Sequence, residues 1–312
     1  MKGREDSTSF RDFPGQRGLA SVNGVAFGSS LEFGRSSAEV FVPDGTDSQS
    51  ALARTTYLGV GAHADDLEIM SVEAILACFG RADRWFTGVV VTDGTGAPRS
   101  ARDAVPSTGE LARARRAEQR NAARIGEYSA QVFLDYSSAS VKSGEEAVVS
   151  DLERLLTACA PSVVYGHNLA DEHDTHVAVA LRLLEACRRL DVAQRPERVL
   201  GCEVWRDLDW LPASTRVKLD VSDHEALQEA LLGAFASQLG GGKRYDLAAL
   251  GRRRAHATFC HKDAPDGARG LVYAMDLTPL IGAAPESVAG YVARSIDEFR
   301  NDVLARLARL SR

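Results

Sequence analysis

Histidine and aspartate residues cluster at two points of the sequence, each directly behind a short apolar run. The stretch GAHADDLEI follows the run YLGV and contains His63, Asp65 and Asp66. The stretch GHNLADEHDTH follows the run SVVY and contains His173 and His176. Two histidines and one carboxylate around an open position form a ligand set of catalytic zinc, which polarises carbonyls and brings the pKa of bound water to about 7. The clusters together predict a divalent metal site with zinc as the expected ion, although other divalent cations use similar ligands.

The spacing within each cluster lets the side chains converge. His63 and Asp66 are three residues apart in a loop that enters a helix, and His173 and His176 share one face of the helix predicted to begin between them. Asp65 stays beside the metal without binding it, where it can take a proton from water. Each cluster alone also has a structural interpretation, because adjacent carboxylates can cap a helix and two histidines can lie on a helix surface. Their joint occurrence behind two strands favours the metal site.

The elements that must position these residues follow a regular alternation. Four short apolar runs, YLGVGA, WFTGVVVT, QVFLDY and SVVYGH, each precede a segment with a helical pattern. Such alternation predicts βαβ units and hence an α/β fold, a Rossmann-like, mostly parallel sheet with helices on both faces. Ligands of such sheets bind beyond the carboxyl ends of the strands, which is where both clusters lie.

An N-terminal arm and C-terminal additions flank this alternation. Residues 1–36 are rich in Gly, Ser and charge without periodicity, which predicts an extended arm or a flexible tail. The segment AEVFVPDG predicts a short strand that ends in a turn. After Pro196 the pattern loosens, but no Pro/Gly-rich linker separates the two parts. We therefore expect a single domain over residues 37–312, with C-terminal additions and with the motifs concentrated in residues 55–190.

Composition places the chain among ordinary globular proteins and excludes several classes. Of its 312 residues, 45% are hydrophobic and 26% are charged, and the net charge of −6 argues against nucleic acid or an anionic membrane surface as a partner. The five cysteines form no CxxC pair, so they predict neither a disulfide framework nor a cysteine zinc site. We find no segment with the apolar length of a signal peptide or a membrane span, so the sequence predicts a cytoplasmic protein.

Four motifs in this order, GAHADDLEI, TDGTG, RRAEQRNAARIG and HDTHVAVAL, resemble the LmbE-like/PIG-L family of zinc-dependent N-acetylglucosaminyl de-N-acetylases over residues 55–190. Members of that family deacetylate N-acetylglucosaminyl-inositol compounds in mycothiol, bacillithiol and GPI biosynthesis, and some act on chitooligosaccharides or antibiotic intermediates. The resemblance implies zinc ligands at His63, Asp66 and His176 and a general base at Asp65. It also implies that His173 stabilises the oxyanion or protonates the leaving amine.

Two positions depart from the motifs of the family. Ala64 stands where the usual AHPDD has proline, a change that occurs within the family. Thr175 stands where the usual HPDH has aspartate, so a carboxylate that supports the metal site in the family is missing. Asp171 and Asp174 are the two candidates to supply it, and the change leaves open which histidine donates a proton.

Further residues are candidates for substrate binding. Asp93 and Gly94 in TDGTG end the second strand, where the backbone can approach a sugar, although a tight turn explains them equally well. Arg99 follows this loop and can bind a hydroxyl or phosphate group. In SQLGGGKRYD three glycines precede Lys243 and Tyr245. This segment suits a rim loop that contacts the substrate or a neighbouring subunit of a homo-oligomer, and it also suits a plain connector.

These observations favour a metal-dependent hydrolase that removes an acetyl or other acyl group from an N-acylated amino sugar or glycoconjugate, a small-molecule substrate. Two alternatives stay open, a zinc amidase that acts on a non-sugar substrate and a non-catalytic Rossmann-like binding module. The binding module is disfavoured because GVGAHADD lacks the third glycine of GxGxxG and has carboxylates where a pyrophosphate would bind.

Overall fold

The computed structural model describes residues 31–95, 107–239, 244–260 and 267–311, which belong to one compact unit, Leu31–Arg312. These residues contain one sheet of eight strands. The strands are β1 (Glu39–Phe41), β2 (Tyr57–Gly61), β3 (Phe86–Thr92), β4 (Ala130–Tyr136), β5 (Val163–His167), β6 (Arg198–Cys202), β7 (Arg216–Asp220) and β8 (Leu271–Asp276).

The order of the strands across the sheet is β1-β4-β3-β2-β5-β6-β8-β7. The central strands β4, β3, β2, β5 and β6 are parallel, whereas β1 at one edge and β8 and β7 at the other pair antiparallel. The predicted α/β fold with a mostly parallel sheet is therefore confirmed. The chain runs outward from β2 to β3 and β4 and then returns to β5 and β6, so the topological switch point lies between β2 and β5.

Helices cover both faces of this sheet, and every residue of β2 and β3 is buried, as is usual for parallel strands covered on both sides. None of the described helices is both long enough and apolar enough to cross a membrane. The described residues also form 3-10 turns at Val192–Gln194 and Thr278–Ile281. Their α-helices are α1 (Ser48–Ala53), α2 (Asp66–Met70), α3 (Val72–Cys78), α4 (Thr108–Ile125), α5 (Ser138–Ser143), α6 (Glu146–Cys159), α7 (Asp174–Arg189), α8 (Glu225–Gly233), α9 (Ala236–Leu239), α10 (Tyr245–Cys260) and α11 (Val288–Leu310).

The two faces of the sheet carry separate apolar layers. On one face Val60 of β2 packs in the layer that contains Leu152 of α6 and Leu183 of α7. On the other face Leu67 of α2 and Ile75 of α3 form part of the second layer. Because β2 runs between these layers at the centre of the sheet, the loop behind it begins at the carboxyl edge between the two sets of helices.

Residues 31–36, at the end of the predicted arm, contact the body of the molecule. The backbone N–H of Gly34 donates to Asp151 Oδ2 at 3.0 Å, and Arg35 Nη2 donates to Glu145 Oε1 at 3.1 Å. Leu31 and Phe33 pack against the first apolar layer. The remainder of the predicted arm, residues 1–30, lies outside the described residues.

Candidate active site

The two predicted clusters meet at the switch point, at the carboxyl ends of β2 and β5. His63 Nδ1 lies 3.2 Å from His176 Nε2. The two carboxylate oxygens of Asp66 lie 3.4 Å from His63 Nδ1 and 3.5 Å from His176 Nε2. Asp66 and His176 are buried, and His63 is half-buried. The three residues that the family resemblance implies as ligands therefore converge on one point.

The positions of these donor atoms fit a divalent cation. A tetrahedral site with metal–ligand bonds of about 2.0–2.1 Å places its ligand atoms about 3.3–3.4 Å apart. The two histidine nitrogens are 3.2 Å apart, and they lie 3.4 and 3.5 Å from the two different oxygens of the Asp66 carboxylate, so each separation is close to that spacing. Two imidazole nitrogens and one carboxylate are also a donor set of catalytic zinc sites. Among the described residues, two overlapping sets of three donors lie close enough for one ion, His63 with His173 and His176, and Asp66 with His167 and His176, and the three implied ligands belong to these sets.

The surroundings of Asp66 favour its ionised form. Its Oδ2 accepts a hydrogen bond from the backbone N–H of His63 at 2.7 Å, which orients the carboxylate. Burial by itself raises the pKa of this carboxyl, but the neighbouring His176 and His167 lower it, and the net pKa lies well below the ordinary value. Asp66 is therefore a carboxylate ready to bind a cation without first losing a proton.

A further histidine, His167, belongs to the same cluster, and the sequence analysis assigned it no role. It is the last residue of β5, is fully buried and stacks on His176 with ring centroids 4.0 Å apart. Its Nε2 lies 2.9 Å from the backbone nitrogen of Ala62 and 3.3 Å from Asp66 Oδ2. His167 thus fixes the end of β2 beside the ligands. Its place at a strand end was the signal in the sequence.

His173 caps the start of α7 and lies beside the other histidines of the cluster. Its Nδ1 accepts the backbone N–H of Thr175 at 3.3 Å, so the neutral ring carries its proton on Nε2. Burial and the neighbouring His176 and His63 lower the pKa of His173, which favours the neutral ring. The rings of His173 and His63 meet edge-on with centroids 5.0 Å apart. A neutral imidazole N–H beside the ligands suits the stabilisation of an oxyanion.

Of the two candidates for the missing carboxylate, Asp171 is the one that contacts the histidines. Its Oδ2 lies 3.5 Å from His176 Nδ1, and its Oδ1 accepts the backbone N–H of His173 at 3.0 Å. The same Oδ2 accepts the backbone N–H of Trp205 at 3.2 Å. Asp174, in the first turn of α7, lines the adjoining cavity. The loop before α7 therefore places Asp171 where it can orient His176.

Asp65 does not act as a helix cap. Its backbone is left-handed, with φ of 88°, and its side chain makes no capping hydrogen bond to α2. Such a conformation is uncommon outside glycine, and here the backbone N–H is held by Gln119 Oε1 at 3.1 Å. Burial and the negative charges of Asp66 and Glu68 raise the pKa of Asp65 well above its ordinary value. Asp65 consequently accepts a proton more readily than Asp66 does, as a general base requires.

A buried polar network behind Asp65 holds Gln119 in place. Gln119 Nε2 donates to Glu68 Oε1 at 2.7 Å, and the hydroxyl of Tyr128 donates to the same oxygen at 2.7 Å. Arg253 Nη2 donates to the backbone oxygen of Glu68 at 2.8 Å. Burial raises the pKa of Glu68 to about 7. The sequence carries no signal for this network, because Gln, Glu and Arg on helices usually indicate a solvated surface.

A cavity of about 660 Å³ opens onto the cluster. That volume lies within the range of small-molecule sites, about 300–1,000 Å³. Trp205 and Tyr245 contribute an aromatic wall in which the ring centroids are 5.5 Å apart and the ring planes nearly perpendicular. Three cationic side chains without a predicted role also line the cavity, namely Arg115, Lys142 and Arg252.

The five residues predicted to bind substrate fall into three groups: one lines the main cavity, two line a smaller pocket, and two lie outside the described residues. Tyr245 lines the main cavity. Asp93 and Gly94 line a smaller adjoining pocket, which is also lined by His63. In the turn of TDGTG, Asp93 Oδ1 accepts a backbone N–H at 2.9 Å, and Gly94 has a positive φ of 72°. Arg99 and Lys243 lie outside the described residues.

Solved structures with this fold include enzymes of two kinds. N,N'-diacetylchitobiose deacetylase from Pyrococcus horikoshii is 17% identical with a TM-score of 0.51, over 71% of this chain and 84% of that chain. A deacetylase of the teicoplanin biosynthetic pathway is 17% identical with a TM-score of 0.53, over 71% and 98%. The 4-carboxy-2-hydroxymuconate hydratase GalB from Pseudomonas putida is 18% identical with a TM-score of 0.54, over 75% and 99%. At these identities the likeness shows a shared fold.

Sequence comparison adds the family. None of the curated proteins matches the chain. The family model described as PIG-L, GlcNAc-PI de-N-acetylase, matches residues 58–187, a stretch that begins in β2 and ends in α7 and so contains both clusters. The part of the chain that holds both clusters therefore has a match to the PIG-L (LmbE-like) domain.

Proposed function

We propose that this protein is a metal-dependent hydrolase that removes an acetyl group from an N-acetylated amino sugar. The observation that carries the proposal is the convergence of His63, Asp66 and His176 at ligand spacing, with Asp65 and His173 beside them. The match to the PIG-L family supports deacetylation as the reaction. Zinc is the proposed ion because the donor set is two histidines and one carboxylate.

Each residue of the proposed site has a separate role in amide hydrolysis. A divalent cation in such a site supplies Lewis acidity, which polarises a carbonyl and makes water more acidic. Asp65 takes the proton of the attacking water, for which its raised pKa suits it. The Nε2–H of His173 donates a hydrogen bond to the oxyanion that forms from the amide carbonyl. The proton held on Asp65 then passes to the departing amine, so the amine leaves neutral.

An amino sugar is the proposed substrate because of the cavity beside the ligands. Its volume of about 660 Å³ accommodates a sugar ring with a substituent. The rings of Trp205 and Tyr245 offer an apolar surface on which a sugar face can pack. Arg115, Lys142 and Arg252 offer donors for hydroxyl or acidic groups of the substrate.

Hydration of a carbon–carbon double bond is a second candidate, because a neighbour in fold is a hydratase and a base beside a cation can also activate water for that reaction. Deacetylation is favoured over it by the family match. Acetate release distinguishes the two, because hydration releases no acid from an N-acetylated compound.

The test is acetate release from a panel of N-acetylated amino sugars and N-acetylated non-sugar amines, after chelation and after addition of zinc or another divalent ion. We expect metal-dependent release from at least one sugar and much slower release from the non-sugar amides. Release from the non-sugar amides alone would refute the sugar substrate and indicate a different amide as the substrate. Activity that chelation leaves unchanged would refute metal dependence. Binding without any turnover across the panel would favour the non-catalytic module.

A further inference from the structure

The last helix, α11, leaves an apolar stripe uncovered by the rest of the described chain. Its first turns pack against the core through Tyr291 and Val292, but every residue from 301 to 310 is exposed. Successive apolar residues along one face are three or four positions apart, which is the period of a helix. These side chains are between 37% and 72% exposed and are Ile296, Phe299, Val303, Leu307 and Leu310.

The stripe is symmetric about its central residue. Phe299 and Leu307 lie four positions on either side of Val303, and Ile296 and Leu310 lie seven positions on either side. An identical helix that runs antiparallel and crosses at Val303 therefore places each of these five residues opposite another of the five, and Leu304, which is 55% exposed, lies beside the stripe. Two-fold association between identical subunits requires this kind of self-complementary surface.

The charges along α11 differ in sign on the two sides of Val303, which suits the antiparallel pairing. Between the first stripe residue and Val303 the helix carries three acidic residues and one basic residue, namely Asp297, Glu298, Asp302 and Arg300. Between Val303 and the last stripe residue the only charged residues are Arg306 and Arg309. An antiparallel pair places the acidic half of each helix against the basic half of the other. A parallel pair would place like charges together, which disfavours it.

We propose that α11 is a self-association surface that pairs antiparallel with α11 of a second copy, with Val303 on the two-fold axis. Phe299 contacts Trp210 of its own copy, with ring centroids 6.4 Å apart. Because the pairing places Leu307 of one copy opposite Phe299 of the other, the solvent-exposed end of each helix lies near Trp210 of the other copy. The stripe from Ile296 to Leu310 spans about 21 Å at 1.5 Å per residue. Pairing buries the apolar side chains that water otherwise surrounds.

Light scattering on the full chain tests the pairing. We expect a mass near twice 33.6 kDa for the wild type. Val303→Asp places two like charges against each other on the axis, and we expect it to raise the dimer dissociation constant at least about 100-fold. Ala305→Asp is the matched control, because Ala305 lies about half a turn away from the stripe on the exposed opposite face. It adds the same charge and should leave the dimer intact.

A cysteine on the axis tests the register independently. Val303→Cys should form an intermolecular disulfide on oxidation, whereas Ala305→Cys should form none beyond the wild-type background from Cys260. A monomeric wild type, equal masses for Val303→Asp and the wild type, or equal cross-linking of both cysteine variants would each overturn the proposal. Monomers that pellet with anionic lipid vesicles through the stripe would also overturn it, in favour of a membrane surface.

Discussion

Replacing Asp65 by asparagine separates the roles of the two adjacent carboxylates. Asparagine is nearly isosteric and tolerates the left-handed backbone at φ of 88° as well as aspartate does. Because the Asp65 side chain makes no capping hydrogen bond, the substitution does not weaken the start of α2. Because burial and the charges of Asp66 and Glu68 raise the pKa of Asp65, the neutral amide removes an unfavourable charge, and we expect the free energy of unfolding of the metal-free protein near pH 7 to stay equal or increase. We also expect the variant to keep its metal, since His63, Asp66 and His176 are untouched.

The catalytic effect should be large. The amide cannot accept the proton of the attacking water, so kcat/KM should fall by about 10² to 10⁴-fold, the usual contribution of a general base. Asp66→Asn should lose metal and activity together, because its carboxylate lies within 3.5 Å of both ligand histidines. The assay is kcat/KM for acetate release and metal content by elemental analysis on both variants. Near-wild-type activity of Asp65→Asn refutes the base assignment, and loss of its metal would make Asp65 a ligand.

Three further predictions concern the groups around this pair. His173→Ala should retain metal and lower kcat about 10²- to 10³-fold, and loss of metal on elemental analysis would contradict its role as a donor. Asp171→Asn should weaken metal affinity about 10- to 100-fold in a chelator competition titration, because Asp171 orients His176, and unchanged affinity would contradict this. Burial raises the pKa of Glu68 from 4.5 to about 7, so the folded state holds this proton more tightly and Glu68 costs stability as pH rises between those values. Glu68→Gln should therefore match the wild type in urea unfolding near pH 4 and exceed it by about 2–4 kcal/mol near pH 8, and an equal difference at both pH values would contradict the buried titration.

The fold was predictable where the sequence signal is local. The run WFTGVVVT predicts a buried strand, and β3 is Phe86–Thr92; QVFLDY predicts the next, and β4 is Ala130–Tyr136. Continuous β-branched and apolar residues mark strands covered on both faces, and the helical segments between them force parallel pairing. By contrast, the position of β8 between β6 and β7 was not predictable. It depends on antiparallel pairing between segments far apart in the chain, which no local pattern encodes.

The candidate site was predictable only in the residues whose types are unusual for their positions. Histidines and paired aspartates behind strands are rare enough to indicate chemistry. Gln119 and Arg253 carry no such signal, because both lie on helices in charged stretches where exposure is the normal expectation. Both are buried because they pack against Glu68, which lies 51 positions from Gln119 and 185 positions from Arg253 in the sequence. Only the assembled structure identifies the network that positions Asp65.

The opposite pKa shifts of Asp65 and Asp66 explain how adjacent carboxylates can do different work. Both are held at the centre of the sheet, yet Asp66 faces His176 and His167, which lower its pKa, while burial and the negative charges of Asp66 and Glu68 raise the pKa of Asp65. Paired groups whose environments drive their pKa values apart are the usual basis of acid–base assignments. A bound divalent cation would stabilise both anions and lower the pKa of Asp65. The two carboxylates that follow β2 thus suit the two proposed roles: Asp66 stays ionised as a metal ligand, and Asp65 exchanges a proton with water.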